Sequence, residues 1–265
     1  MTSLDDVFVR TREDGRAVLV GYLPAGFPSV DGCVEAFEAL AAAGVDVFEV
    51  GLPYSDPLMD GPVIQAAVQC ALDAKVGTAD VVDTVRRVVD ATGVPTVVMT
   101  YWNPVERYGV DRFAADLAAA GGSGVITPDL IPEEAVGWLA AVAQHGLAPV
   151  FLVAPSSTEA RLRVVAAANR GFVYAASTMG VTGARAQVGD RAAGLVERVR
   201  AVTDLPVAVG LGVSTGAQAA QVATYADGVI VGSALVAALA DGGVAALGAL
   251  ARDLAAGVRA VERGT

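Results

Sequence analysis

Two carboxylates at the ends of a short, stiff loop are the residues of this sequence best placed for acid–base chemistry. Glu49 ends an apolar run at 45–50 and lies on its apolar face, and Asp60 follows a proline-bracketed loop at 52–58. A carboxyl group on an apolar face is partly desolvated, and this raises its pKa towards neutrality. A pair of carboxylates leaving the same strand end suits two-carboxylate acid–base catalysis.

Each of these residues also has a purely structural interpretation. Glu49 could be a solvated acid at a strand end. Asp60 stands in an Asp-Gly-Pro sequence, which is favourable chemistry for the N-terminus of a helix, so it could be a helix cap. Tyr174 alternates inward near the top of a later strand, where it could face a site or be a core aromatic with a satisfied hydroxyl.

Three glycine clusters follow the last three candidate strands and predict a phosphate site. They lie at 180–183, 210–216 and 228–233. Glycine lets backbone N–H groups approach a phosphate closely, and a helix that begins after Ser233 would favour a dianion. The middle cluster has G-x-G-x-x-x-G spacing and follows a late strand, so it does not match a dinucleotide fingerprint.

The scarcity of other reactive residues restricts the chemistry. His145 is the only histidine and stands at a predicted helix end, which excludes a histidine-based triad and a multi-histidine metal site. Lys75 is the only lysine and follows a helical segment, which argues against a Schiff-base lysine. A barrel that cleaves a C–C bond in a sugar phosphate must then use carboxylates and an electron sink within the substrate.

The bulk composition predicts a soluble cytoplasmic protein. The 265 residues are 54% hydrophobic and 18% charged, with a net charge of −11, which argues against disorder and against nucleic-acid binding. Only Cys33 and Cys70 are present, so a disulfide framework is not expected. The acidic N-terminus lacks the order of a signal peptide, and apolar stretches are interrupted before the ~20 residues that span a bilayer.

Alternation of strand-like and helical segments predicts the α/β class, with a (β/α)₈ TIM barrel formed as a single domain by residues 1–265. An open doubly wound sheet is the alternative. Two further helical segments follow the second strand, at Gly61–Ala74, and the eighth, after Ser233. The predicted strands are Ala17–Tyr22, Val45–Val50, Pro95–Thr100, Gly124–Ile126, Ala148–Val153, Phe172–Ala175, Pro206–Gly210 and Asp227–Val231. The predicted helices between them are Val30–Ala43, Thr78–Thr92, Val110–Ala120, Pro132–His145, Ser157–Ala168, Ala192–Val202, Thr215–Tyr225 and Val244–Glu262.

Four motifs make the chain resemble the tryptophan synthase alpha chain family, with compatible spacing essentially from end to end. They are FEVGLPYSDPLMDGPVIQ at 48–65, MTYWNP at 99–104, GVTG at 180–183 and VGLGVS at 209–214. The resemblance implies a barrel that cleaves indole-3-glycerol phosphate to indole and glyceraldehyde 3-phosphate. Protonation of the indole ring at C3 makes the ring itself the electron sink.

The resemblance also implies a role for each matching residue. Glu49 would shuttle the proton, Asp60 would interact with the indole N–H and stabilise the developing positive charge, and Tyr174 would lie beside the reacting centre. The indole pocket would be lined by Tyr22, Thr100 and Leu211. Substrate binding would further involve Thr182, and the phosphate would be held by backbone N–H groups at Gly183, Gly212, Gly232 and Ser233.

A partner is implied by the resemblance as well. The chain itself would carry no cofactor, and a pyridoxal-phosphate-dependent tryptophan synthase beta chain would join it in an α₂β₂ complex and receive indole through a tunnel. The contact residues would be Pro53, Asp56, Tyr101, Asn103 and Pro104. The residues leave three alternatives open, namely a stand-alone indole-releasing lyase, a catalytically silent allosteric barrel subunit and another phosphate-binding barrel isomerase.

Overall fold

A computed structural model describes residues 3–176, 185–210 and 212–261 of the chain. The strands are β1 (Val18–Pro24), β2 (Val47–Gly51), β3 (Thr96–Met99), β4 (Gly124–Ile126), β5 (Ala148–Val150), β6 (Leu152–Val153), β7 (Val173–Ala176), β8 (Val207–Gly210) and β9 (Gly228–Val231). The helices are α1 (Leu4–Glu13), α2 (Val30–Ala43), α3 (Pro62–Asp73), α4 (Thr78–Thr92), α5 (Trp102–Tyr108), α6 (Val110–Ala119), α7 (Val136–Gln144), α8 (Glu159–Ala168), α9 (Arg185–Arg200), α10 (Gly216–Ala223) and α11 (Ser233–Arg259).

The strands form one parallel sheet that closes on itself. Its order is β5-β4-β3-β2-β1-β9-β8-β7-β6, and the two end strands are consecutive in the chain, separated only by Phe151. β5 pairs with β4, and β6 pairs with β7. The predicted strand Ala148–Val153 therefore completes the barrel in two halves, which confirms the predicted barrel and excludes the open sheet.

Asn169 bridges the interruption between the two half-strands. Its side-chain oxygen accepts a hydrogen bond from the N–H of Phe151, and its amide donates to the Phe151 carbonyl at 3.2 Å. Both residues are buried. Because an unpaired buried backbone group is costly, this one side chain replaces the two ladder bonds that Phe151 lacks.

The barrel interior is a packed apolar core rather than a channel. Buried aliphatic residues from seven of the nine strands cluster with Leu4, Val7 and Phe8 of α1, which closes the end where the strands begin. The rings of Phe8 and Phe172 lie 5.6 Å apart. This filling leaves the opposite end, where the strands finish, as the end that can hold a ligand.

Most of the predicted helices are present, and the differences have local causes. α2 and α4 have the predicted bounds, and each ends at a left-handed glycine. Helix α1 was not predicted, although Ser3 and Asp6 form a capping box at its start. Helix α5, which begins at Trp102, was not predicted either, since the sequence assigned no helix between Thr100 and Val110. The helix predicted from Pro132 begins only at Val136, after a turn.

Helix α11 follows the last strand and is long and apolar enough, by length and composition, to cross a membrane. It is broken at Gly243, where φ is +65°, so its first part is the extra helix predicted after the eighth strand. Leu235, Leu247 and Leu254 are buried, and the helix packs on α2, α10 and β1. In this fold α11 is therefore part of the outer layer of helices.

Candidate active site

A cavity of about 770 Å³ opens at the carboxyl ends of the strands. It is bounded on one side by the loop between β2 and α3 and on the other by the segments that follow β8 and β9. Its described lining residues are Tyr22, Glu49, Leu58, Met59, Asp60, Gly61, Pro62, Ile64, Met99, Leu152, Tyr174, Ala176, Gly210, Gly212, Val213, Ser214, Ile230, Gly232, Ser233 and Ala234. Both predicted carboxylates therefore face the same space as the predicted phosphate-binding segments.

Glu49 lies in the middle of β2 with its side chain turned into the barrel. It is 1% exposed, and its Oε2 has no hydrogen-bond partner among the described residues. Burial and then the nearby charge of Asp60 raise the pKa of Glu49 to about 8. A carboxyl group with a pKa near neutrality can both donate and accept a proton, and this burial contradicts the interpretation of Glu49 as a solvated strand-end acid.

Asp60 lies at the rim of the cavity, immediately before α3. The N-cap of that helix is Gly61, which makes no side-chain capping bond. The hydroxyl of Tyr101 donates to Oδ1 of Asp60 at 3.4 Å. Burial raises the pKa of Asp60, while this hydrogen bond acts to lower it. The carboxylate is therefore directed towards the site and does not cap the helix.

Two tyrosines, Tyr22 (buried) and Tyr174 (partly buried), complete the polar floor of the cavity. Tyr22 is aligned with Glu49 across the β1–β2 pair, and Tyr174 lies on β7 on the other side of the barrel. Burial raises the pKa of both phenols well above the usual value, and the charge of Glu49 raises it further. Both hydroxyls therefore stay protonated near Glu49, where they can donate hydrogen bonds.

The opposite side of the cavity is formed by backbone that suits an anion. Gly212 has a φ of +66°, a conformation that favours glycine, and it is exposed. Helix α11 begins at Ser233, and its N-cap Gly232 makes no side-chain capping bond. The first N–H groups of a helix have no acceptor within the helix, so this terminus can donate to a phosphate.

Comparison with known proteins decides the family. A family model described as "Tryptophan synthase alpha chain" matches residues 8–261. The chain belongs to the tryptophan synthase alpha chain family. It is 60% identical to the tryptophan synthase alpha chain of Mycobacterium avium over 256 residues, which are 97% of this chain and 94% of the relative. Its identity to that of Salinispora arenicola is also 60%, over 98% of both chains.

Solved tryptophan synthase structures share the fold as well as the sequence. A chain in a crystal structure of tryptophan synthase from M. tuberculosis superimposes with a TM-score of 0.91 at 55% identity, over 98% of this chain and 99% of that one. The alpha subunit from Legionella pneumophila gives a TM-score of 0.90 at 32% identity, over 98% and 100%. Members of this family are subunits of an enzyme, so the barrel is that of an enzyme subunit.

The structure places most of the family's predicted site residues around the cavity. Glu49, Asp60, Tyr22, Tyr174, Gly212, Gly232 and Ser233 all line it. Thr100 is not among the described lining residues, since it is buried and its hydroxyl donates to the carbonyl of Tyr101 at 2.9 Å. Three further predictions, for Thr182, Gly183 and Leu211, lie outside the described residues.

Several cavity residues were not predicted from the sequence. Met99 lies one position before Thr100 and does line the cavity, as do Ile64, Leu152 and Ile230. A usable signal existed for Met99, because Val97 of the same strand is aligned with Glu49 and alternation turns residue 99 inward as well. Ile64 comes from helix α3, whose position against the cavity depends on tertiary packing.

The five residues predicted to contact a partner differ in exposure. Asp56 and Asn103 are exposed, and Pro104 is partly exposed. Pro53 and Tyr101 are buried within the chain itself, with Tyr101 only 5% exposed. Two of the five therefore expose little surface of their own to a partner.

Proposed function

We propose that the chain is the alpha subunit of a tryptophan synthase and a carbon–carbon lyase that cleaves indole-3-glycerol phosphate to indole and glyceraldehyde 3-phosphate. The observation that carries this proposal is the buried Glu49 carboxyl group, whose Oε2 has no hydrogen-bond partner among the described residues, in a cavity that combines an aromatic and aliphatic floor with an anion-binding rim. Membership of the tryptophan synthase alpha chain family supports the substrate.

Glu49 is the proton-transferring group of the proposed reaction. Protonation of C3 of the indole ring places positive charge on the ring nitrogen, and removal of the proton from the C3′ hydroxyl then expels the ring. The C3–C3′ bond breaks, its electrons return to the ring, and the C3′ carbon becomes the aldehyde of the product. A pKa of about 8 suits a group that serves both proton transfers.

Asp60 stabilises the charge that develops on the ring. Its carboxylate lines the cavity at the rim of the β2–α3 loop and carries a negative charge within reach of a ring held over Tyr22 and Tyr174. An ionised group aimed at developing charge in a poorly hydrated site lowers the barrier to reaction. The ring is enclosed by the apolar side chains of Ile64, Met99, Leu152 and Ile230.

The phosphate of the substrate is held by backbone N–H groups around Gly212, Gly232 and Ser233, with the N-terminus of α11 behind them. Neither Lys75 nor a metal ion takes part in this proposal, because the indole ring itself accepts the electrons. The distance across the cavity from the carboxylates to these backbone groups is bridged by the glycerol chain.

The proposal includes a pyridoxal-phosphate-dependent beta chain as partner, with that cofactor in the beta chain. Asp56 and Leu58 of the β2–α3 loop and Asn103 of α5 are exposed, and Leu58 also lines the cavity, so a partner bound at this loop could receive released indole. The free thiols of Cys33 and Cys70 fit the reducing cytoplasm.

The test is indole release from indole-3-glycerol phosphate by the purified full chain, alone and with a beta chain. We expect Glu49→Gln to lower kcat by ~10²–10⁴-fold while preserving the circular dichroism spectrum. Glu38→Gln, at an exposed position on α2, is the matched control and should be unaffected.

The outcomes of this assay separate the alternatives. Full turnover without a beta chain would favour a stand-alone lyase, and near-normal turnover by Glu49→Gln would remove Glu49 from the mechanism. No indole release in either arm would leave a silent allosteric subunit or an isomerase that acts on a non-indolic sugar phosphate.

A further inference from the structure

The hydroxyl of Tyr101 is bonded to three consecutive residues of the loop between β2 and α3. It accepts hydrogen bonds from the N–H groups of Leu58 at 3.1 Å and Met59 at 3.0 Å. It donates to Oδ1 of Asp60 at 3.4 Å. A phenol hydroxyl has one donor and two acceptor sites, so these three bonds use its full capacity.

The barrel scaffold fixes the backbone at Tyr101. Tyr101 is the N-cap residue of α5, directly after β3, and the following N–H, of Trp102, donates to both carboxylate oxygens of Asp129 at 2.9 and 3.1 Å. Tyr101 is 5% exposed, and its ring packs on the ring of Tyr54, a residue of the same β2–α3 loop, with centroids 5.3 Å apart. The Tyr101 side chain thus attaches the loop to the start of α5, through its ring at Tyr54 and through its hydroxyl at residues 58–60.

The loop segment held by this hydroxyl has few other attachments. Leu58 is 75% exposed. Within residues 3–176, 185–210 and 212–261, the Asp60 carboxylate accepts one hydrogen bond, the one from Tyr101. Two other titratable groups face Asp60 across the cavity, Glu49 and Tyr22, and the charge of Asp60 raises the pKa of each. Neither donates a hydrogen bond to it within this part of the chain.

We propose that Tyr101 is a positioning residue for the reaction proposed above, whose hydroxyl holds the 58–60 segment so that the Asp60 carboxylate points into the cavity. The inference rests on the proposed function, and it gives Tyr101 an internal role in place of contact with a partner. Small displacements of a catalytic group are costly in rate, since the charge must lie where it is needed in the transition state.

The test variant is Tyr101→Phe, which keeps the ring and its packing on Tyr54 and removes only the hydroxyl. We expect kcat for indole release to fall by about 10-fold with KM changed by less than about twofold, because Asp60 acts on developing charge. The hydrogen bond lowers the pKa of Asp60, so its loss should move the acid limb of the kcat profile to higher pH.

A second readout does not depend on substrate. Without the phenol oxygen the N–H groups of Leu58 and Met59 lose their acceptor, so a peptide spanning residues 58–60 should exchange hydrogen for deuterium faster in Tyr101→Phe. Tyr108→Phe is the matched control, because it removes a hydroxyl that donates to the carboxylate of Asp116 at 2.7 Å on the outside of the barrel. The control should change neither kcat nor exchange at 58–60.

These measurements distinguish failure of the inference from failure of the proposed function. Wild-type kcat in Tyr101→Phe would overturn the inference, as would a lower kcat with unchanged exchange at residues 58–60. If the wild-type chain releases no indole, the proposed function fails, and unchanged exchange in Tyr101→Phe would then overturn the positioning role separately.

Discussion

The phenol ring of Tyr22 occupies the space next to the Cα of Gly51 that the Cβ of any other residue would fill. Tyr22 lies on β1 and is aligned with Glu49 on the adjacent strand β2. Gly51 lies two positions beyond Glu49 on β2. Tyr174 and Gly210 repeat the arrangement on β7 and β8, where a Cβ would lie 2.7 Å from the Tyr174 hydroxyl oxygen. Both tyrosines thus cross a neighbouring strand top to reach the cavity, and each crossing requires glycine.

Gly51→Ala should therefore displace the Tyr22 ring and damage the site. The added methyl group would lie 2.6 Å from Cε2 of a buried ring, and overpacking of this kind costs ~1–3 kcal/mol in the free energy of unfolding. We expect a lower urea midpoint together with a fall in indole release. Adding Tyr22→Leu should restore part of the stability in a double-mutant cycle. Gly137→Ala, on α7 with open space around it, is the control, and equal losses in both alanine variants would contradict the argument.

The charge state of Glu49 should make stability depend on pH in a defined direction. Its pKa is about 8 in the folded chain against an ordinary 4.5. Between these values the folded chain keeps a proton that the unfolded chain has lost, so the free energy of unfolding falls as pH rises through this window. Glutamine cannot ionise, so the stability of Glu49→Gln relative to wild type should increase over the same window.

The increase in the stability of Glu49→Gln relative to wild type has an upper limit of about 5 kcal/mol over this pH window, since each pKa unit corresponds to about 1.4 kcal/mol. Urea denaturation at pH values from 4.5 to 9 measures it, with Glu38→Gln as the exposed control. A stability difference between Glu49→Gln and wild type that does not change with pH would show that Glu49 is ionised in the folded chain throughout.

Replacement of Asp60 by asparagine should separate catalysis from helix capping. Gly61 and not Asp60 is the N-cap of α3, so Asp60→Asn should lower kcat by ~10²-fold with no loss of thermal stability. The reference is Thr158→Ala, since the Thr158 hydroxyl accepts from the N–H of Arg161 at 3.3 Å and caps α8. That variant should lose ~1 kcal/mol and keep its activity. A drop in melting temperature for Asp60→Asn as large as that of Thr158→Ala would restore the capping interpretation.

The sequence predicted the barrel well because several strands are nearly continuous apolar runs, as parallel strands buried on both faces require, and helical segments alternate with them. It missed α5 because Pro104 suggested a loop, yet Pro104 is the third residue of that helix, where the backbone N–H has no acceptor within the helix. It missed α1 although the Ser3–Asp6 capping box was present and the buried residues Leu4, Val7, Phe8 and Thr11 have helical spacing.

The site residues on strands were predictable, because strand alternation decides which side chains face inward. The contacts between the β2–α3 loop and α5 were not, because they join distant parts of the sequence. Alternation predicted that Glu49 faces inward. The same rule predicts Met99, and not Thr100, as the cavity residue of β3. The role of Tyr101 was not accessible, because its hydroxyl meets Leu58 and Met59 across more than forty residues of sequence. Such contacts depend on how the β2–α3 loop lies against α5, which local propensities do not determine.

The ion pair between Arg16 and Asp46 should contribute to stability far more than a surface pair of the same type. Asp46 accepts two hydrogen bonds from the guanidinium, at 2.8 and 2.9 Å, and one from the N–H of Leu19 at 2.9 Å. The two side chains are only 13% and 7% exposed. Asp46→Ala would remove the two shortest bonds of the guanidinium, which keeps the Ala17 carbonyl and Asp14, and would leave the Leu19 N–H without its acceptor, so we expect a loss of ~3 kcal/mol.

The comparison for this prediction is the pair of Arg86 and Asp83 on α4. Its charged atoms are 2.6 Å apart, yet its side chains are 50% and 52% exposed, so Asp83→Ala should cost less than ~0.5 kcal/mol. Urea denaturation at low and high salt measures both variants. Salt should reduce the small effect of Asp83→Ala and leave that of Asp46→Ala nearly unchanged, because buried pairs are screened less. Similar losses of unfolding free energy in the two variants would show that the Arg16–Asp46 pair contributes no more to stability than an exposed pair. They would also show that the hydrogen bond from the Leu19 N–H to Asp46 adds no measurable stability.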